Sequence, residues 1–134
     1  MIGALIVSHG NLANELLSAA QRIETNLGVV EAVPLEWTDT VDQAREKIRL
    51  ALQRLGTDSV IIFTDMFGGT PTNIAASFLG RAPVEVVTGV NLPMVIKLAT
   101  QEADETLPEL ARRVRDQGQQ QIHLASDILT PKKK

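Results

Sequence analysis

His9 is the residue of this chain whose position most clearly suggests chemistry. It follows the apolar run 2–8 and precedes Gly10 and an amphipathic helical pattern. A short apolar run, a glycine turn and a helix predict that the imidazole lies at the carboxyl end of a buried strand. Open α/β sheets bind their ligands at that edge. A histidine there can act as a base, a metal ligand or a covalent phosphoryl acceptor, although a buried histidine bonded to a backbone carbonyl fits the pattern equally well.

The loop 65–73, Asp-Met-Phe-Gly-Gly-Thr-Pro-Thr-Asn, is the second candidate site. Gly68 and Gly69 let the backbone approach a ligand closely, and they lead directly into a helix. Free N–H groups and the positive end of the helix dipole favour an anion there, so the loop predicts a phosphate site. It is neither a Walker loop nor a dinucleotide fingerprint, and no nucleotide cofactor is expected. A turn that needs glycine only for its geometry is the alternative.

Asp65 follows a third apolar strand pattern and needs a polar partner at the strand end. Beside His9, its carboxylate would accept the proton of one ring nitrogen, fix the tautomer and leave the other nitrogen free to attack. The alternative is an aspartate that caps a helix or braces the loop. We therefore predict His9 and Asp65 as the catalytic pair.

Three other chemistries fit the residues less well. A metal site is not expected, because the second histidine, His123, is predicted on the polar face of the last strand. A serine hydrolase is disfavoured, since Ser8 and His9 are neighbours whose side chains diverge. A histidine phosphatase is a closer rival, but its pocket depends on several arginines, and the arginines of this chain fall in helical segments or just after them. A phosphate site without arginine suits transient carriage of a phosphoryl group.

Length and composition limit the class of protein. The 134 residues suit one domain, 1–134, with a core of Leu, Val, Ile and Ala because aromatic residues make up only 3%. The net charge of −3 is dispersed, and the basic tail 132–134 is expected to be solvated, so nucleic-acid binding is not expected. The absence of cysteine and of a charged leader predicts a cytoplasmic protein, and no apolar run approaches the roughly 20 residues that span a bilayer.

Strand and helix patterns alternate along the chain. The strand patterns lie at 2–8, 29–35, 59–64, 84–88 and 121–125. The predicted N-cap residues are Asn11, Thr40, Thr70, Asn91 and Thr106, with capping boxes to Gln43 and Glu109 and with Pro71 as the first residue of the third helix. The glycines expected to end helices are Gly56, Gly80 and Gly118.

This alternation predicts an α/β fold with a doubly wound, mostly parallel open sheet. Four strands are expected to be parallel. The last, 121–125, alternates polar and apolar residues and is expected at an edge, antiparallel to its neighbour. Three loops, 8–10, 65–73 and 89–91, should then meet at one edge of the sheet.

Three motifs in this order resemble the enzyme IIA component of the mannose family of the bacterial phosphoenolpyruvate-dependent sugar phosphotransferase system. They are Val7-Ser8-His9-Gly10, the loop 65–73, and Gly-Val-Asn-Leu-Pro-Met at 89–94. The resemblance covers nearly the whole chain. It implies a phosphotransferase in which His9 takes a phosphoryl group on Nε2 from the phosphocarrier HPr and passes it to a IIB component. Sugar uptake would follow through membrane permease components that the chain meets only indirectly.

The same resemblance implies roles for the neighbouring residues. Asp65 is expected to bind the other ring nitrogen, and Thr70 to help hold the phosphate. The expected phosphate-binding residues are Gly10, Phe67, Gly68, Gly69 and Thr70. No cofactor and no metal are implied. The family also forms homodimers in which the last strand, here 121–125, crosses to the partner subunit.

Some family members continue into an Ala/Pro-rich linker and a fused IIB domain, whereas this sequence, which reaches 131–134, is expected to act without them. The sugar therefore stays open, and a standalone IIA can instead act as a regulatory reporter whose phosphorylation state controls partner binding. The phosphoryl donor subunit of dihydroxyacetone kinase shares the histidine-bearing strand. It lacks the Gly-Gly-Thr-Pro-Thr-Asn pattern and is the weaker alternative.

Overall fold

The computed structural model describes residues 1–80 and 83–129. Strands and helices alternate along this part of the chain. The strands are β1 (Ile2–His9), β2 (Val30–Leu35), β3 (Ser59–Thr64) and β4 (Val84–Val87). The helices are α1 (Leu12–Ile23), α2 (Val41–Leu55), α3 (Thr70–Ala76), α4 (Leu92–Lys97), α5 (Leu107–Gln120) and α6 (Ala125–Leu129), with one 3-10 turn at Leu98–Thr100.

The four strands form one parallel sheet in the order β2-β1-β3-β4. The chain adds β2 on one side of β1 and then returns to add β3 and β4 on the other side, which makes β1/β3 the topological switch point. In the register of the sheet His9 lies opposite Leu35, and Val7 lies opposite Thr64. The end of β1 and the residue after β3 therefore meet at the carboxyl edge of the sheet.

Helices cover both faces of the sheet, which confirms the doubly wound α/β fold. One apolar cluster joins α1, α4 and α5 to alternate residues of β1 such as Ile6. The other joins α2 and α3 to the residues between them, such as Leu5 and Val7. Burial on both faces explains why β1 and β3 are continuously apolar. None of the described helices is both long enough and apolar enough to cross a lipid bilayer.

The helix ends follow the predicted chemistry in most places. Both capping boxes form, from Thr40 to Gln43 and from Thr106 to Glu109. The Asn91 side chain accepts a hydrogen bond from the Met94 N–H and so caps α4. Gly56 ends α2 in the left-handed conformation, with φ of 63°.

Two predicted N-caps need correction. Asn11 holds the N-cap position of α1 as predicted, but its side chain makes no cap bond, and the buried Ser8 Oγ instead accepts the Ala13 N–H at 2.7 Å. Thr70 is already helical and Gly69 is the N-cap of α3, since Gly69 holds the extended backbone of a cap residue; Pro71 is therefore the second helical residue. The same helix ends at Ala76, before the expected Gly80.

The C-terminal prediction also needs correction, because the structure has a turn and helix α6 where 121–125 was expected to be a strand. Because α5 continues to Gln120 and α6 begins at Ala125, only four residues lie between these helices, and within the described chain they pair with neither free edge of the sheet. Gly118 does not end α5. It lies inside the helix, where an added Cβ would be 2.5 Å from Met94 Sδ, so glycine serves the close contact between α4 and α5.

Candidate active site

The structure brings His9 and Asp65 together at the switch point. The His9 Nδ1 lies 2.7 Å from Asp65 Oδ2, and the backbone N–H of His9 donates to the same oxygen at 2.8 Å. An ionised carboxylate can only accept, so Nδ1 is the donor of this bond, and in the neutral ring Nε2 keeps its lone pair. One carboxylate oxygen thus fixes both the backbone and the ring of the candidate nucleophile. The Asp65 side chain is 10% exposed and that of His9 is 27% exposed, so the ring stays reachable from solvent.

Gly69 lies against the reactive edge of the imidazole. A Cβ added to Gly69 would be 2.9 Å from His9 Cε1 and 3.3 Å from Nε2. Its backbone φ of −85° is one that any residue adopts, so the lack of a side chain is needed for the close approach. Gly68 differs, since it has open space around it and a φ of 85°. The first glycine shapes the turn, and the second makes room for His9.

Two buried threonines, which the sequence analysis overlooked, hold this loop from inside. The Thr72 hydroxyl donates to the Met66 carbonyl. Its single proton is then used, so Thr64 must donate to Thr72 Oγ1, 2.7 Å away. The loop is therefore fixed to the end of β3, while Met66, Phe67 and Thr70 remain exposed. A threonine ending an apolar strand, with another at the start of the next helix, was the available signal.

The predicted phosphate-binding residues are placed differently from one another. Thr70 lines a cavity of about 230 Å³ together with His9. The Phe67 side chain is 80% exposed. The Gly10 N–H donates to the Leu35 carbonyl at 2.8 Å and is not free to bind an anion. Gly10 instead makes the turn after β1, with a φ of 54°.

Ser8 also serves this turn. Its fully buried hydroxyl accepts the Ala13 N–H at 2.7 Å and donates to the Gly10 carbonyl at 3.1 Å. These two bonds tie the residue after His9 to the start of α1. The hydroxyl is thereby occupied both as a donor and as an acceptor.

Trp37 is the site residue that sequence reasoning missed most plainly. Its indole stacks on the His9 imidazole, with ring centroids 5.4 Å apart and an angle of 29° between the planes. The residue follows β2, so the β2–α2 loop is a further loop at the carboxyl edge, beyond the three expected. The signal in the sequence was the only tryptophan of the chain, two residues after a predicted strand.

The turn that carries Trp37 is braced against α2. The Asp39 carboxylate accepts the Glu36 N–H at 2.9 Å and the Lys47 ammonium at 2.5 Å. Hydrogen bonding from Lys47 lowers the pKa of Asp39, against a smaller opposing effect of desolvation. This carboxylate therefore stays ionised and holds the turn in place.

The loop 89–91 joins the same edge through the backbone, since the Val90 N–H donates to the Thr64 carbonyl at 2.9 Å. The other histidine, His123, is exposed between α5 and α6, and no contact with His9 is seen in the described chain. Across 1–80 and 83–129, no three His, Cys, Asp or Glu side chains are grouped to hold a metal ion.

A family comparison decides the class of the protein. The EIIA-man family, described as "PTS system fructose IIA component", matches residues 3–115. The chain belongs to this family. The resemblance inferred from the three motifs is thus confirmed for this component of the phosphotransferase system (PTS).

Individual PTS relatives agree with this assignment. The chain is 28% identical over 131 residues to the "PTS system fructose-specific EIIA component" of Bacillus subtilis, across 96% of this chain and 90% of that protein. It is 30% identical over 127 residues to the "PTS system mannose-specific EIIAB component" of Escherichia coli K12, across 90% of this chain but only 38% of that protein. The similarity therefore lies in a part of the longer EIIAB protein.

Solved structures of PTS IIA proteins share the fold. The "Mannose/sorbose specific IIA subunit of phosphotransferase system from Enterococcus faecalis" aligns with a TM-score of 0.85 and 28% identity, across 98% of each chain. A IIA protein "associated with the fucose utilization operon" of Streptococcus pneumoniae aligns with a TM-score of 0.79 and 27% identity, across 96% of each chain. The sugar names of these relatives differ, so family membership does not select one sugar.

Proposed function

We propose that this IIA protein is a phosphoryl carrier, in which His9 Nε2 accepts a phosphoryl group from phospho-HPr and passes it to a IIB component. The 2.7 Å contact between His9 Nδ1 and Asp65 is the observation that carries the proposal. It occupies one ring nitrogen with a carboxylate and leaves the other with its lone pair. Membership in the EIIA-man family supports the same role.

The transfer itself needs only positioning and charge stabilisation. The Nε2 lone pair attacks phosphorus, an N–P bond forms on His9, and the donor's bond to phosphorus breaks with its electron pair returning to the donor. Nδ1 keeps its proton throughout. The positive charge that develops on the His9 ring is balanced by Asp65 at 2.7 Å. Transfer to the IIB component reverses these steps.

The phosphoryl group would be held beside Gly69. The Thr70 hydroxyl and the backbone amides of the turn 67–70 are the proposed donors, because Thr70 lines the His9 cavity and the Gly69 backbone approaches the ring edge. Gly10 is left out of this set, since its N–H already binds Leu35. No metal or nucleotide is needed for these contacts.

Intact-mass measurement after incubation with phosphoenolpyruvate, enzyme I and HPr tests the carrier role. We expect one added phosphoryl group that is labile to acid and is lost in His9→Ala. The chain has two histidines, so His123→Ala is the matched control and should be labelled like the wild type.

The IIB component then separates a carrier from a phosphatase. Adding it should remove the phosphoryl group from labelled protein, whereas labelled protein alone should release little free phosphate. Labelling of His9→Ala, no labelling of the wild type by active partners, or many turnovers of phosphate without IIB would each contradict the proposal.

We also propose that the protein works as a homodimer in the cytoplasm. The outer edge of β4 is unpaired within the described chain, and beside it β4 and α5 line a cavity of about 480 Å³ that Ile122 also reaches. The exposed apolar side chains after α5 are Ile122, Leu124, Ile128 and Leu129. A second copy that covers them would remove this apolar surface from water. The lack of cysteine suits a reducing compartment.

A further inference from the structure

Trp37 contacts His9, the proposed nucleophile, and is also largely exposed to solvent. Its indole stacks on His9 with centroids 5.4 Å apart, yet 79% of the residue is open to solvent. A Cβ on Gly10 would lie 3.1 Å from Trp37 Nε1, so the indole rests on the turn after β1. Tryptophan is enriched in protein interfaces, where its large surface and single polar atom are both used.

Hydrogen bonds within the chain hold the turn that carries this indole. The Asp39 carboxylate holds the turn 36–39 through the Glu36 N–H, and Lys47 on α2 binds the same oxygen. The Asp39 side chain is only 11% exposed, so the carboxylate end of this brace is largely covered, while the Lys47 side chain is 38% exposed. An exposed side chain on a braced turn loses little freedom when a partner covers it, which favours binding.

Apolar side chains also lie in the loop whose Gly69 contacts the edge of the His9 ring. Met66 Cγ lies 3.5 Å from the position of a Cβ on Gly69, and Phe67 is its exposed neighbour. We call Trp37, Met66 and Phe67 the apolar rim. The charged residues that line the His9 cavity with Trp37 are Glu36 and Asp39.

We propose that Trp37 is a binding residue for the proteins that exchange a phosphoryl group with His9, and that these partners cover the apolar rim with an apolar surface. The proposal rests on the proposed carrier function. Direct transfer between two histidines requires the donor and acceptor rings to meet across one phosphorus atom, in line. A partner that comes this close to His9 must also cover an exposed indole stacked on the same ring.

Transfer kinetics from phospho-HPr test the binding role. Initial rates over a range of phospho-HPr concentrations give the half-saturating concentration and the maximal rate separately. Trp37→Ala should raise the half-saturating concentration about tenfold to thirtyfold, as for a residue that dominates an interface, and should change the maximal rate much less. Trp37→Phe should restore most of the binding.

Ile23→Ala is the matched control for loss of an exposed apolar side chain. Ile23 is 62% exposed and ends α1, which runs back from the His9 edge to the opposite edge of the sheet. Its transfer kinetics should equal those of the wild type.

Trp37 fluorescence reports the docking directly, because the chain has one tryptophan. With an unphosphorylated HPr that contains no tryptophan, we expect a blue shift of the emission and protection of the indole from acrylamide quenching. Titration of the wild type gives this signal without any chemistry.

Two results would overturn the proposal. A lower maximal rate in Trp37→Ala with unchanged half-saturation would make the indole a residue that only positions the His9 ring. Unchanged kinetics, or no quenching protection at concentrations that saturate transfer, would show that partners leave Trp37 uncovered. Failure of the carrier function looks different, since His9 of the wild type would then stay unlabelled while fluorescence still reports whether HPr docks.

Discussion

The loops around His9 and the segment after α5 differ in where their contacts lie. The His9 loops are held within the chain, by the Asp65 carboxylate, by the Thr64–Thr72 hydroxyl pair and by the brace on the Trp37 turn. The residues 121–129 are all exposed, although Ile122 and Leu124 are apolar. An apolar pattern in a sequence thus predicts that those side chains are buried. It does not say whether the same chain or a second copy buries them.

The largest effect we expect is loss of the dimer when the segment after α5 is removed. It tests whether a second copy of the chain covers that segment. Full-length protein should sediment as a dimer of 14.5 kDa subunits. A chain that ends at Gln121 keeps α5 but loses Ile122, Leu124 and α6, and it should sediment as a monomer. The physical reason is loss of the apolar surface that a second copy would bury.

The full-length double variant Ile122→Ser/Leu124→Ser should weaken the dimer in the same direction, without shortening the chain. Ile23→Ser, at the exposed last residue of α1, is the control and should remain dimeric. A monomeric full-length protein, or a shortened chain that stays a dimer at the same concentration, would refute the proposed assembly.

The next effect tests the other region, where contacts within the chain position the nucleophile. Asp65→Ala should slow phosphoryl acceptance by about 10²- to 10⁴-fold, the usual range for a group that orients a proton or a nucleophile. The variant should still fold, at a cost of about 1–3 kcal/mol because the partly buried His9 N–H loses its acceptor. Single-turnover transfer rates and urea unfolding measure the two effects separately.

Asp65→Asn is the informative companion. Its amide oxygen can still accept the His9 hydrogen bonds but carries no charge, so a rate between those of the wild type and Asp65→Ala would separate orientation from charge stabilisation. Acceptance at the wild-type rate in Asp65→Ala would show that the carboxylate only braces the loop.

Much of the fold was predictable because its signals are local. Continuous apolarity marked β1 and β3, and the capping boxes of α2 and α5 follow from residues three positions apart. The proximity of His9 and Asp65 was also predictable, since both stand at carboxyl ends of parallel strands. Their catalytic and phosphate-binding roles stay predictions.

The missed features depend on contacts that a sequence pattern does not encode. Trp37 reaches His9 across the sheet edge from another loop, 28 positions along the chain, and its place after a predicted strand does not by itself specify that contact. Gly118 resembles a helix terminator, yet its role is set by Met94 of α4. Ser8 competes with Asn11 for the start of α1, and only the folded turn decides between them.

Gly68 and Gly69 allow a test of how the loop positions His9, because the structure gives the two glycines separate roles. The expected effects are smaller than those of Asp65→Ala. Gly69→Ala places a methyl group 2.9 Å from His9 Cε1, and the ring cannot yield freely because Asp65 and Trp37 hold it. Transfer should slow by about 10²-fold, the cost of misplacing a reacting group by roughly 1 Å. Stability should fall only as far as this contact strains the loop, since φ at Gly69 suits any residue.

Gly68→Ala should show the opposite pattern. Nothing lies within 4 Å of an added Cβ there, but φ of 85° is unfavourable for alanine, so we expect a loss of about 1–2 kcal/mol in the free energy of unfolding and a smaller loss of rate. Urea unfolding and single-turnover transfer, measured on both variants, separate the effect on stability from the effect on the transfer rate. Wild-type transfer in Gly69→Ala, or slower transfer with unchanged stability in Gly68→Ala, would show that the roles of the two glycines are assigned wrongly.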